Sequence, residues 1–235
     1  MDELLVLCPT RGRPDAARET NESFEATRTR PGTHILFPVD SDDPMLGDYF
    51  AESYPVLRQE APGNMNRALN EAALWSIAEL KPKYLGFIGD DHRFRTKGWD
   101  DHFVQLLDAR GGGFVYGNDL FWPKGEIPTQ IFISASIVEA LGWMGLPGAK
   151  HLYLDNTWRS LGEATDSLYY MPDVIIEHMH PAGGKAEWDE GHLRVNTEAM
   201  YSHDRSVYES WLDGSMSEDI QRVRSALGRA AVGDH

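Results

Sequence analysis

Short apolar runs alternate with longer segments of helical periodicity through the first 117 residues. The runs at residues 4–8, 34–39 and 84–88 have the length and apolar character of strands buried on both faces. Amphipathic patterns at residues 14–27 and 64–79 lie between these runs and predict helices. A chain that alternates in this way is predicted to form an α/β fold, with a mostly parallel central sheet flanked by helices.

The alternation becomes less regular after residue 118. Residues 131–134 and 174–176 have the pattern of further strands, and a helical tail is predicted from about residue 197. We therefore predict a principal domain followed by a helical C-terminal extension. The predicted boundaries are 1–185 for the domain, 1–118 and 119–185 for its two halves, and 186–235 for the extension.

The composition argues against several classes of protein. A formal net charge of −15 disfavours nonspecific binding to nucleic-acid duplexes. No run of 18 apolar residues is present, so no membrane span is expected. The acidic start Met1-Asp2-Glu3 does not resemble a signal peptide. The single Cys8 excludes an internal disulfide framework, and together these features predict a cytoplasmic location.

The apolar run at residues 84–88 ends in Gly89 and then in Asp90-Asp91-His92. Ligands of open α/β sheets bind beyond the carboxyl ends of the strands, which is where this tripeptide is expected to lie. Carboxylate oxygens and imidazole nitrogens are common ligands of Mn²⁺ and Mg²⁺. A metal site is therefore predicted here, and the alternative is a solvated turn with an Asx cap.

Two histidines follow the late strand in the segment "IIEHMHP". Side chains alternate between the two faces of a strand, so His178 and His180 are expected to face opposite sides. At most one of them is then expected to contact the metal, and the residues alone leave open which one.

Polar residues also follow the first two strands. Arg11 and Arg13 could clamp a diphosphate, with Gly12 allowing a close approach of the backbone. The alternative is a pair of solvated surface arginines. Thr10 precedes this pair, and Asp40 ends the second strand at the same predicted edge of the sheet.

Two further segments each have a functional and a structural interpretation. Gly63 and Asn64 open a helix whose first N–H groups could bind an anion, or Asn64 could serve only as its cap. Asp155 lies close to Trp158 in "HLYLDNTW" and could act as a general base of raised pKa, or it could be a helix N-cap.

The chain resembles the nucleotide-sugar-dependent glycosyltransferases of the GT-A fold. The segments "VLCPTRGRP", "PVDSDDP", "GNMNRALNEAA" and "YLGFIGDDHRF" are the basis of the resemblance, which extends over about residues 4–180. "HLYLDNTW" and "IIEHMHP" fit the same family more loosely. The small size and the "GDDH" form are similar to glycosyltransferases of bacteria and their phages.

The resemblance implies roles for individual residues. It implies a nucleotide-sugar and metal-binding half at 1–118 and an acceptor half at 119–185. The implied ligands of Mn²⁺ or Mg²⁺ are Asp90, His92 and His178, and the implied catalytic base is Asp155. The implied contacts to the nucleotide diphosphate are Thr10, Arg11, Arg13, Asp40, Gly63, Asn64, Arg67, Asp90 and Asp91.

Two positions depart from the family pattern. His92 stands where the Asp-x-Asp metal motif usually has its second aspartate, and Leu154-Asp155 replaces the usual Glu-Asp pair. The expected activity is metal-dependent transfer of a sugar, first of all from a UDP-sugar, to a hydroxyl of a protein, a glycan or a modified nucleobase. A sugar nucleotidyltransferase and a noncatalytic carbohydrate- or protein-binding domain are the alternatives. Donor sugar, acceptor, stereochemistry and oligomeric state stay open.

Overall fold

A computed structural model describes residues 3–60 and 64–229 of the chain. These two ranges contain eight strands and nine α-helices. Strands and helices alternate along the first half of the chain, and the alternation is less regular in the second half. The strands are β1 (Leu4–Leu7), β2 (Thr33–Asp40), β3 (Val56–Gln59), β4 (Tyr84–Phe87), β5 (His92–Phe94), β6 (Phe114–Asn118), β7 (Ile131–Ser134) and β8 (Leu168–His178). The helices are α1 (Pro14–Thr27), α2 (Leu46–Ala51), α3 (Met65–Glu79), α4 (Trp99–Arg110), α5 (Ala135–Leu141), α6 (Leu154–Ala164), α7 (Glu190–Val195), α8 (Glu198–Asp213) and α9 (Met216–Ala226).

The eight strands form one sheet in the order β3-β2-β1-β4-β7-β6-β8-β5. The first four strands of this order are parallel to one another. β7 runs antiparallel to β4 and β6, and β8 returns to the parallel direction beside β6. The predicted α/β fold, with a mostly parallel sheet flanked by helices, is confirmed.

The hydrophobic core has two parts, one on each face of the sheet. In β1, Leu5 and Leu7 pack into the cluster that includes residues of α3, α5 and α6, and Leu4 and Val6 pack into the cluster with α1 and α4. This division follows from the alternation of side chains along a strand. Both faces of β1 are therefore buried, which explains why its sequence is continuously apolar.

The carboxyl ends of β1, β2, β4, β6 and β8 lie along one rim of the sheet, because these strands share a direction. β7 and β5 run in the opposite direction. β5 pairs antiparallel with β8, and its first residue, His92, lies directly opposite His178. The sequence predicts only a turn at residues 90–92 and a late strand at 174–176, so β5 and the greater length of β8 correct both predictions.

The last two helices pack on the same face of the sheet as α5 and α6. Trp211 of α8 and Val223 of α9 belong to the core cluster that contains Trp158 of α6. The Trp211 indole N–H donates a hydrogen bond to Asp219 Oδ2 over 2.9 Å. The tail is thus joined to the α/β core by apolar packing. Among the described residues, no helix combines the length and apolar character needed to cross a bilayer.

One buried carboxylate connects the tail to the loop that precedes α6. Asp204 of α8 is fully buried and accepts hydrogen bonds from the backbone N–H groups of Lys150, His151 and Leu152, over 2.7–3.0 Å. Hydrogen bonds to a charged acceptor such as this carboxylate are strong. Without Asp204, the three backbone N–H groups would be buried and would have no acceptor. The start of α6 therefore depends on a residue of the tail.

Replacing Asp204 by alanine is expected to lower the free energy of unfolding by about 3 kcal/mol, because three backbone donors lose their acceptor. Urea unfolding followed by tryptophan fluorescence measures the change. Glu209→Ala, an exposed carboxylate on the same helix, is the control and should change stability by less than about 0.5 kcal/mol. Equal stability of both variants and the wild type would contradict this role of Asp204.

Candidate functional site

A carboxylate surrounded by imidazoles lies at the rim formed by the ends of β4 and β8. Asp91 Oδ1 is 3.1 Å from His92 Nδ1, and Asp91 Oδ2 is 3.1 Å from His178 Nε2. The three side chains each offer a ligand atom within 4.8 Å of the others. This cluster, Asp91, His92 and His178, is called the metal cluster below.

The pairing of β5 with β8 explains how the two histidines meet. Directly opposite residues of an antiparallel pair have their Cβ atoms about 5 Å apart on the same face. The rings of His92 and His178 accordingly stack, with centroids 4.3 Å apart and planes 15° from parallel. Residues far apart in sequence are thus held side by side by backbone register rather than by loop conformation.

The donor atoms of the metal cluster fit a divalent cation. His92 Nδ1 and His178 Nε2 face Asp91, and the opposite ring nitrogens, His92 Nε2 and His178 Nδ1, are buried and have no hydrogen-bond partner among the described residues. A buried polar atom without a partner is costly, so its persistence calls for a ligand. One carboxylate and two imidazoles form a donor set for a divalent first-row transition metal, a class that includes Mn²⁺. The residues present therefore fit the cation that the family resemblance implies.

The protonation states of the cluster also suit a cation. Burial acts to raise the pKa of Asp91, but the charge of His178 and hydrogen bonds from the neighbouring histidines outweigh it, and the pKa lies well below its usual range. Burial, together with the charge of His178, lowers the pKa of His92. Asp91 is thus ionised and His92 neutral at pH 7, which are the forms that bind metals.

Gly89 gives Asp91 the space to turn back toward His92. A Cβ atom at position 89 would lie 2.5 Å from Asp91 Oδ1 and 3.2 Å from His92 Nδ1. The backbone N–H of Gly89 also donates to His92 Nδ1 over 3.2 Å. The glycine of "GDDH" is therefore required by the close approach of the carboxylate.

Asp90 points away from the metal cluster, although it is adjacent to Asp91 in sequence. Its Oδ2 accepts a hydrogen bond from Thr10 Oγ1, and its Oδ1 accepts one from Arg13 Nη1, both over 2.6 Å. Burial raises the pKa of Asp90 to about 6, against the opposing effect of Arg13. The structure groups Asp91 with the two histidines, and a ligand role for Asp90 stays a prediction.

The loop after β1 is held in place by further contacts. Tyr49 OH accepts the backbone N–H of Arg13 over 2.7 Å and lies 3.0 Å from Thr10 Oγ1. Arg11 Nη1 lies 2.6 Å from Asp42 and 3.2 Å from Asp40. Both arginines are thus partly buried at the rim. Arg13 lies beside the metal cluster, since it pairs with Asp90, the neighbour of Asp91 in sequence. Their contacts to a nucleotide stay predictions.

The start of α3 is a capped helix. Asn64 Oδ1 accepts the backbone N–H of Arg67 over 2.8 Å, as the capping alternative predicts. The Arg67 side chain is more than half exposed and pairs with Glu71. Gly63 lies outside the described residues. Roles of Gly63, Asn64 and Arg67 in nucleotide binding stay predictions.

Asp155 lies in the first turn of α6 but is not its cap, because Tyr153 occupies that position with φ 64°. Asp155 Oδ1 accepts the backbone N–H of Asn156 over 2.8 Å. Burial raises the pKa of Asp155, against weaker lowering by this hydrogen bond and by His178. Trp158 belongs to the core, since it packs on Phe87 and its indole N–H donates to Met144 O.

Two residues of the tail reach the site, and no motif in the sequence marks them. His192 Nε2 lies 3.6 Å from Asp91 Oδ2, and Asp189 Oδ2 lies 3.1 Å from Arg13 Nε. Ligands of open α/β sheets are expected at the carboxyl ends of strands, and α7 is a helix of the tail, so this expectation does not point to it. In the sequence, both residues look like ordinary polar positions of an exposed helical tail.

The expectation that His178 and His180 face opposite sides is wrong. Their ring centroids are 5.2 Å apart, because β8 ends at His178 and the alternation of a strand does not continue to His180. His180 also contacts Phe121 and Trp188. Aromatic rings therefore lie beside His178 of the metal cluster, and the outermost of them, Trp188, is 49% exposed.

Solved glycosyltransferase structures are similar to this fold. The mannosyltransferase PcManGT from Pyrobaculum calidifontis, in complex with GDP-Man and Mn²⁺, matches with a TM-score of 0.60 and 11% identity, over 99% of this chain and 76% of that chain. S. aureus TarS 1-349 in complex with UDP matches with a TM-score of 0.58 and 11% identity, over 92% of this chain and 72% of that chain. Glucosyl-3-phosphoglycerate synthase from Mycobacterium tuberculosis, in complex with Mn²⁺, UDP and phosphoglyceric acid, matches with a TM-score of 0.57 and 12% identity. The match covers 99% of this chain and 81% of that chain.

No family model and no curated protein matches the sequence. At identities of 11–12%, the similarity of the structures concerns the fold. The chain has the GT-A fold of these glycosyltransferases, as the family resemblance implies.

Replacing Gly89 by alanine is expected to displace the Asp91 carboxylate and weaken Mn²⁺ binding about tenfold or more. The fold should persist, because the atom that obstructs the new Cβ is the end of a side chain. Isothermal titration with MnCl₂ measures the affinity. Gly47→Ala in α2 is the control, since a Cβ there meets no atom of the described residues within 4 Å. Unchanged affinity in Gly89→Ala would show that this close approach is dispensable.

Proposed function

We propose that the chain is a metal-dependent glycosyltransferase that moves a sugar from a nucleotide-diphosphate donor to an acceptor hydroxyl. The observation that supports this most directly is the metal cluster at the carboxyl rim of a GT-A sheet, with Arg13 beside it. A UDP-sugar is the first candidate donor and a GDP-sugar the second. Two of the similar structures contain UDP and one contains GDP-Man.

In this proposal Asp91, His92 and His178 hold Mn²⁺ or Mg²⁺. A divalent cation bound there supplies stabilisation of the negative charge that forms on the departing diphosphate. Arg13 would add a charge-assisted hydrogen bond to the same group, and Arg11 is the second candidate for this role. Arg13 is well placed to do so, since Asp90 and Tyr49 fix its side chain and its backbone respectively.

Asp155 is the proposed general base. A base is most effective when its pKa approaches the working pH, and burial raises the pKa of Asp155. Deprotonation of the acceptor hydroxyl in line with the departing diphosphate gives inversion at the sugar carbon. Without a base in line, the reaction proceeds with retention and Asp155 only positions a substrate. We propose the inverting course.

The two alternatives have no separate observation in their favour among the described residues. A sugar nucleotidyltransferase would favour a glycine-rich first loop followed by a lysine, whereas the loop here is "CPTRGRP". A binding domain with a decayed metal site does not require buried histidine nitrogens without partners. A reducing, cytoplasmic setting is part of the proposal, and the free, buried thiol of Cys8 is compatible with it.

The metal site can be tested by titrating MnCl₂ and then UDP or GDP into the protein. Asp91→Ala and His178→Ala should each weaken Mn²⁺ binding at least about tenfold, because each removes a donor atom. The same variants should abolish Mn²⁺-dependent hydrolysis of nucleotide sugars. His102→Ala, an exposed histidine on α4, is the control. A wild-type protein that binds neither Mn²⁺ nor any nucleotide diphosphate would rule out the proposed function.

Asp155→Asn is expected to lower kcat about 100-fold or more and leave donor affinity unchanged, since the amide cannot accept the proton. In the wild type, activity should fall as pH decreases through the raised pKa of Asp155, because the base must be ionised. This acidic limb should be absent from the residual activity of Asp155→Asn. Glu163→Ala at the exposed end of the same helix is the control. An unchanged pH profile in Asp155→Asn would exclude Asp155 as the base.

A further inference from the structure

A third imidazole faces the carboxylate of Asp91. His192 of α7 is 6% exposed, and its Nε2 lies 3.6 Å from Asp91 Oδ2. Its Nδ1 lies 2.7 Å from Asp189 Oδ1, whereas its Nε2 has no hydrogen-bond partner among the residues that the structure describes. In this respect His192 resembles His92 and His178, which each have one buried ring nitrogen without a hydrogen-bond partner. The three histidines surround one carboxylate.

The position of His192 is fixed by the first turn of α7. Asp189 caps the helix, and its Oδ1 accepts the backbone N–H of His192 over 2.9 Å. The other oxygen of Asp189 pairs with Arg13 Nε over 3.1 Å. The tail therefore reaches the rim at two adjacent points, one beside Asp91 and one beside Arg13. His192 is held toward the metal cluster and not exposed to solvent.

We propose that His192 is a fourth protein ligand of the cation held by Asp91, His92 and His178. The inference rests on the metal site of the proposed function. Imidazole nitrogen is a common ligand of divalent transition metals, and His192 Nε2 is a buried nitrogen without a hydrogen-bond partner among the described residues that lies 3.6 Å from Asp91 Oδ2. Four protein donors still leave coordination positions for the oxygens of a diphosphate.

His180 provides a matched comparison. Its ring centroid is 5.4 Å from that of His192, and it belongs to the same group of rings. Its Nδ1, however, accepts the backbone N–H of Ala182 over 3.1 Å, which gives this histidine a structural role. A glutamine at either position retains an amide that can form hydrogen bonds but is a poor ligand for Mn²⁺. The two substitutions thus separate ligation from hydrogen bonding.

A bound cation would then join α7 to the sheet. His92 and His178 belong to β5 and β8, whereas His192 belongs to the tail. Binding of the cation should therefore protect α7 from proteolysis. Arg194 is exposed, two residues after His192, and is a trypsin site that reports on the attachment of this helix. The rate of cleavage at Arg194, with and without Mn²⁺, gives a readout independent of activity.

The deciding experiment titrates MnCl₂ into the wild type, His192→Gln and His180→Gln by isothermal calorimetry. The expected result is an affinity about tenfold or more weaker for His192→Gln and within about twofold of wild type for His180→Gln. Mn²⁺ should slow tryptic cleavage at Arg194 in the wild type and in His180→Gln but not in His192→Gln. If His192→Gln binds Mn²⁺ as tightly as the wild type, the inference is overturned while the proposed function stands.

A wild-type protein that binds no Mn²⁺ overturns both the metal site and the role of His192. Should His192→Gln fail to fold, pulsed EPR of the wild-type Mn²⁺ complex gives the answer. Three coordinated histidine nitrogens, identified by ¹⁵N-histidine labelling, support the inference. Two coordinated nitrogens contradict it.

Discussion

The pairing of β5 with β8 is the constraint on which the site depends. This short antiparallel ribbon sets His92 opposite His178, and the register of its backbone hydrogen bonds fixes the distance between the two rings. A slip of one residue would turn either side chain to the other face of the sheet. The distances within the site are therefore set by the pairing of the strands. Asp91 immediately precedes β5 and is positioned by the same pair of strands.

Adjacent aspartates have different environments because the chain turns between them. Asp90 faces the loop after β1, where Thr10 and Arg13 hold it, and Asp91 faces the histidines. Their pKa values move in opposite directions: burial raises that of Asp90, and the histidines lower that of Asp91. The doubled aspartate in "GDDH" thus supplies two functions, one that orders the arginine loop and one that faces the proposed cation.

The α/β fold could be predicted from sequence because parallel strands that are buried on both faces appear as short, continuous apolar runs. Residues 4–8 and 84–88 are apolar on both faces, and the polar residues that follow them mark the rim. β5 could not be predicted in the same way, since three residues give no periodicity to detect. The choice between Asp90 and Asp91 also depends on the direction of one turn. His192 lies in a tail helix whose pattern contains no sign of a site.

The packing of the tail limits how this chain can be divided. A boundary at residue 185 separates the α/β alternation from the helical segment, but Asp189 pairs with Arg13 and Asp204 supports the loop before α6 across that boundary. The α/β core and the tail are consequently interdependent: a substitution in either can remove a contact that the other needs. A tail exchanged with that of another GT-A protein would have to bring a matching carboxylate for Arg13 and another for the backbone at residues 150–152.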